Sequence, residues 1–185
     1  MPQKESEIMI VTVGEFKNES GILLVSDPCY EPGTWCTGIV AAKKGTWVAK
    51  VVRIDGIVAG LFCHHVDRQD FPREQGGWES VRLNARDGLA GVDSGQCGIF
   101  DEAEFGSMFE REGTSGDFYK GCCDKTIRTE AGGGVFDWGA VSQSGCGDGG
   151  YGVYRLTDEF VATAIIINFA MWTDSVPRGD EECLI

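Results

Sequence analysis

"SGCGDGGYGVYRLTDEFVATAIIINF", residues 144–169, joins a glycine-rich turn to two apolar runs full of β-branched residues. Five of the eight positions from 145 to 152 are glycine, around the single carboxylate Asp148. Glycine loses more backbone entropy on folding than any other residue, so this density marks a tight turn or a close approach to something else. The runs on either side of Thr157–Glu159 are rich in Val, Ile and Tyr, and they read as a hairpin over 151–169. That pattern sets the class as mainly β.

The rest of the chain agrees. "EIMIVTVGEF" (7–16) alternates, "NES" turns, and "GILLVSDP" (21–28) is a short apolar run whose Asp27 is pushed into extended backbone by Pro28. Residues 37–54 read as two strands joined near Lys44-Gly45, and 56–66 pairs next through the hairpin signal Asp55-Gly56. These strands are expected to form an antiparallel meander. Further strand character returns over 88–101 and 132–145. Between them, Phe105, Met108 and Phe109, then Phe118, Tyr119 and Cys122, fall at helical spacing, which predicts one or two short helices within 101–127, broken at 113–116. Polar, aperiodic residues 67–87 read as a long loop, and 173–185 as a C-terminal tail. The expectation is one β-rich α+β domain over 1–185, an antiparallel sandwich or a partly closed barrel.

Composition narrows the function classes. With 185 residues, 42% of them hydrophobic, the chain can bury a core without staples. Sixteen basic against 29 acidic residues leave a net charge of −13, which repels phosphate backbones and excludes nucleic acid as a partner without a local basic patch. Lys43-Lys44 and residues 120–128 are too thin for that. A small polar ligand or a basic protein fits the charge better. The apolar run "FVATAIIINFAMW" (160–172) is too short and too β-branched to cross a membrane, and the first residues carry charges where a leader would be apolar. A cytoplasmic protein with reduced thiols is expected.

Three aspartates share a setting: a strand end followed by small or turn-forming residues. They are Asp27 in "SDPCY" (26–30), Asp93 in "VDSGQCGIFD" (92–101) and Asp148 in "GDGGY" (147–151). On one reading they converge at one end of the fold, with Asp101 nearby. Tyr30, Ser94 and Tyr151 would then help them hold a small polar ligand, or the three carboxylates would hold Mg²⁺ or Ca²⁺ through oxygen. On the other reading each aspartate accepts hydrogen bonds from its own turn. The residues leave both open.

Catalytic patterns are weak. None of the eight cysteines forms the close pair that zinc sites use, so they read as small buried hydrophobes. Ser94 does not sit in a G-x-S-x-G elbow, and the two histidines, His64 and His65, offer Ser94 or Cys97 a base only if the fold brings them together. No catalytic residue is assigned. Trp35, Trp47, Trp78 and Trp138 lie near turns or strand ends, where they would line a pocket mouth or cap the core.

"LLVSDPCY" (23–30), "GVDSGQCGIFD" (91–101), "FYKGCCDKTI" (118–127) and "GAVSQSGCGDGGYGVYRLTDEFVATAIIINF" (139–169) resemble, in that order, the motifs of an uncharacterised domain-of-unknown-function family of bacteria and their phages. The likeness covers islands within 20–170. It implies a shared β-rich domain and one motif set for the three aspartate sites, and it brings no activity with it. Cys97 and Cys146 stand where that pattern has a small residue and an aromatic one. The expected function is a non-catalytic small-ligand or divalent-cation-binding domain. The alternatives are an acidic protein-interaction role, as in a phage accessory protein, and a metal-assisted hydrolase using the same aspartates.

Overall fold

The alternating opening stretch forms β1 (Ile8–Asn18), and the apolar run after it forms β2 (Ile22–Ser26). In the computed structural model, which describes residues 6–68, 77–81 and 89–170, these two strands lie in different sheets. The remaining strands are β3 (Gly38–Ala41), β4 (Gly45–Ile54), β5 (Ile57–His65), β6 (Glu79–Ser80), β7 (Leu89–Val92), β8 (Gln96–Asp101), β9 (Gly133–Phe136), β10 (Gly139–Gln143), β11 (Gly149–Asp158) and β12 (Val161–Asn168). Two helices, α1 (Glu102–Glu112) and α2 (Asp117–Ile127), are joined by a 3-10 turn at Gly113–Ser115.

The larger sheet runs β1-β4-β5-β12-β11, with β6 and β7 both on the outer side of β11; the smaller runs β3-β2-β8-β10-β9. Every ladder is antiparallel and neither sheet closes on itself, so the architecture is a sandwich and not a barrel.

The meander expected for the first strands does not form. The chain crosses to the small sheet after β1, returns after β3, crosses again from β7 to β8, and returns from β10 to β11. Both 88–101 and 132–145, read as single strands, are pairs: β7 and β8 flank a turn at 93–95, and β9 and β10 form a hairpin through Asp137-Trp138. The β11–β12 turn lies two residues later than expected, at Glu159–Phe160, which adopt φ of 47° and 72° without any glycine. The long-loop reading of 67–87 falls partly outside the described residues, although Glu79–Ser80 within it pairs with β11. The tail 173–185 lies wholly outside them.

Between the sheets lies a core that includes Leu23, Val25, Trp47, Leu61, Ile99, Ile165, Ile167 and Phe169. A second layer forms where the helices cover the outer face of the small sheet. Phe105, Met108, Phe118 and Cys122 pack there on Leu24, Phe100 and Val141. Gly98 and Gly139 make room for it, since a Cβ at either would come within 2.1 and 2.4 Å of the Phe100 ring. The tryptophans do not share a pocket mouth. Trp47 is fully buried in the core, Trp138 stacks on Phe118 at 5.0 Å, Trp78 meets Phe62, and of the described tryptophans Trp35 alone is exposed. No described helix is long and apolar enough to cross a membrane.

Candidate functional site

β2 ends at Ser26 and delivers Asp27 into the interior, where it is fully buried. A buried carboxylate needs donors, and this one has four. Oδ1 accepts from the Cys29 amide (2.8 Å) and the Ser94 hydroxyl (2.6 Å); Oδ2 accepts from the Asp93 and Ser94 amides (2.9 and 2.8 Å). A carboxylate has about four acceptor positions, so Asp27 is saturated by its own protein. It fastens the turn after β7 to the loop after β2.

The other loops are fastened to the same rim. Gly91 donates its amide to the Cys36 carbonyl, and Ser144 donates its amide to Gly95. Gly149 lies opposite Val92 in the β7–β11 ladder, which puts Asp148 one step further on, beside the Asp93 turn. Three separate segments, 27–36, 93–95 and 144–148, therefore meet at one end of the sandwich. The glycine-rich stretch is a crossing between sheets and not a hairpin. Gly145 has φ of 67°, and a Cβ there would sit 2.2 Å from the Val58 carbonyl oxygen.

The site residues read from the sequence divide into two groups. Asp27, Ser94 and Tyr151 hold the rim together, Tyr151 donating its phenol to the Gly147 carbonyl at 2.7 Å. Asp93, Asp148 and Tyr30 face outward. The Asp93 carboxylate accepts the Tyr30 phenol at 2.6 Å, while Asp148 is exposed. Burial first, and then the Asp93 carboxylate, push the Tyr30 phenol well above the usual tyrosine range. Burial, reinforced by hydrogen bonding to Asp27, pushes the Cys29 thiol up to about 12.

In this geometry Asp27 is taken up by protein donors, which bears on the metal reading of Asp27, Asp93 and Asp148. Asp27 has no acceptor position left, and among the described residues no three His, Cys, Asp or Glu side chains gather as a metal site would require. The serine–histidine arrangement fails. His65 ends β5 near the close of β11, whereas Ser94 lies beside its start, and ten residues of strand span roughly 30 Å.

One contributor escaped the sequence reading. Tyr119 of α2 lies against Ser94 and Gln96; burial raises its phenol while those two side chains pull it back. Asp101, expected near these aspartates, instead ends β8 at the far end of the β2–β8 pair, where it is a second saturated carboxylate. It accepts the amides of Glu19 and Ser20 (2.7 and 2.8 Å) and those of Ala103 and Glu104 (3.1 and 3.2 Å). Its position just before an acidic first helical turn, "DEAE", was a readable N-cap signal.

No family model, curated protein or solved structure matches this chain.

Proposed function

We propose that this chain is a non-catalytic binding domain whose contact face is the rim of 27–36, 93–95 and 144–148. Its ligand is a small polar molecule bearing a positive charge. One observation carries the reading: the exposed Asp93 carboxylate is oriented by the Tyr30 phenol on a turn whose two amides are held by Asp27. A carboxylate fixed in this way meets a ligand without having to be ordered first, which lowers the entropic cost of binding. The exposed Asp148 carboxylate beside it, and the net charge of −13, favour a cation over an anion. Binding is favoured over turnover because the rim offers no activated nucleophile. The Cys29 thiol is held protonated, the Ser94 hydroxyl donates to a saturated carboxylate, and both histidines lie on β5.

The test is thermal unfolding with Mg²⁺, Ca²⁺, Mn²⁺ and EDTA, and with methylammonium and guanidinium salts at matched ionic strength. A ligand of the native state raises the midpoint, and the rise should vanish in Asp93→Asn. If none of these cations shifts the wild-type midpoint, the reading is wrong. A second reading, a basic protein partner, is favoured by Trp35, which stands 73% exposed on the same loop as Tyr30. Capture of such a partner should weaken steeply between low and physiological salt and should be lost in Trp35→Ala.

A further inference from the structure

The end of the sandwich opposite the rim holds a cleft of about 330 Å³, with Lys43, His65, Arg68, Asp158 and Thr163 among its walls. Most polar groups there have protein partners. Lys43 Nζ donates to Asp67 Oδ2 at 2.7 Å. His65 faces the Lys44 carbonyl through Nε2 and accepts the Asp67 amide at Nδ1, so both ring nitrogens are occupied. Thr163, buried at the cleft wall, accepts from Arg68 Nη1 at 3.0 Å. The exception is Arg68 Nε, which is buried and has no acceptor among the described residues.

An arginine cannot shed its proton to escape this situation, so the donor is permanent. Guanidinium edges match oxyanions, offering parallel N–H donors at the spacing of two oxygens. Lys43, paired with Asp67, lines the same cleft, and the Thr163 hydroxyl is a polar contact beside Arg68. Of the two carboxylates in the walls, Asp67 is already neutralised by Lys43, which holds its carboxyl below the usual range. Asp158 stands exposed. We infer that this cleft binds a small oxyanion, a carboxylate or phosphate group, with Arg68 as its principal contact. The inference is independent of the rim, which lies at the other end of β11.

Thermal unfolding of the full chain is followed in separate titrations with inorganic phosphate and with acetate, each against sodium chloride at the same ionic strength. One of the two anions should raise the midpoint saturably by several degrees beyond the chloride curve, and the anion that does so identifies the source of the oxygen atoms. The increment should disappear in Arg68→Gln and shrink in Lys43→Met. Because Arg68→Gln also loses the bond to Thr163, the quantity read is the anion-dependent increment and not the starting midpoint. Lys43→Met, at a half-exposed position, decides the matter if Arg68→Gln does not fold. Anion curves that follow chloride overturn the inference, as does an undiminished increment in the variant that is measured.

Discussion

Asp27 and Asp101 terminate the two neighbouring strands β2 and β8 at opposite ends of one antiparallel pair, and each is saturated by four donors. Asp27 draws in amides 66 and 67 residues away, and Asp101 draws in amides 82 and 81 residues away. The two carboxylates thus fasten both ends of the small sheet to segments distant in the chain.

Replacing either should therefore cost stability and not merely a binding property. Asn keeps one acceptor oxygen but turns an amide donor toward backbone N–H groups, leaving buried donors unpaired. Asp27→Asn and Asp101→Asn should each lose about 3 kcal/mol in urea unfolding. Asp93→Asn and Asp148→Asn, whose carboxylates face solvent, should stay within about 0.5 kcal/mol of the parent protein. Equal losses at all four positions would show that the division into frame and contact face is wrong.

The glycine-rich crossing makes a second contrast. Gly147 has φ of 97° with open space where a Cβ would go, whereas at Gly145 the Cβ would collide with the Val58 carbonyl. Gly147→Ala should cost about 1–2 kcal/mol of backbone strain, and Gly145→Ala about 2 kcal/mol more because β5 must move. Paired denaturation curves check the difference.

Thiol chemistry should follow burial. Among the described cysteines Cys146 is the exposed one; Cys63, Cys97 and Cys122 are buried, with thiols raised well above the usual range by desolvation, and Cys29 is pushed up to about 12. Brief iodoacetamide treatment at pH 8, read by peptide mass spectrometry, should label Cys146 at least about tenfold faster than Cys29 or these three, since only the thiolate reacts.

His64 should set a pH dependence. It is buried on the outer face of the large sheet against Phe62, donates Nδ1 to the His65 carbonyl, and among the described residues has no partner for Nε2. Burial lowers its pKa, with Lys50 and Arg68 pushing the same way and the backbone oxygens opposing. The unfolded chain therefore takes up a proton near pH 6.5 before the folded one does. Stability should be complete above about pH 6.5 and fall as the pH drops from there through the folded value. Melting curves from pH 7.5 to 5.5 should show that decline, and His64→Phe should flatten it.

Much of this was legible beforehand. Local signals that act over a few residues were reliable: the Asp55-Gly56 turn and the two-helix segment broken at 113–116 match the structure, whereas the meeting of the Asp27, Asp93 and Asp148 segments was one of two readings that residue type left open. Sheet membership was not readable, because only three residues separate β1 from β2, yet the chain changes sheet between them. Nor could residue type alone tell Asp27 from Asp93. Both are aspartates at strand ends, and only the long-range donors that reach Asp27 distinguish a saturated carboxylate from an available one. Glu159–Phe160 was missed for a third reason: the hairpin turns on two left-handed residues that give no glycine signal.

The place of β12 in the large sheet bears on synthesis at the ribosome. It is the last strand in the described chain, yet it sits in the interior of its sheet, the sole bridge between the β5 and β11 halves. Until about residue 168 has left the exit tunnel, β1, β4 and β5 on one side and β7 on the other have no strand to join them. The nascent polypeptide must therefore carry unpaired edges and a half-covered apolar interior until β12 emerges, a window in which chaperones would be most needed.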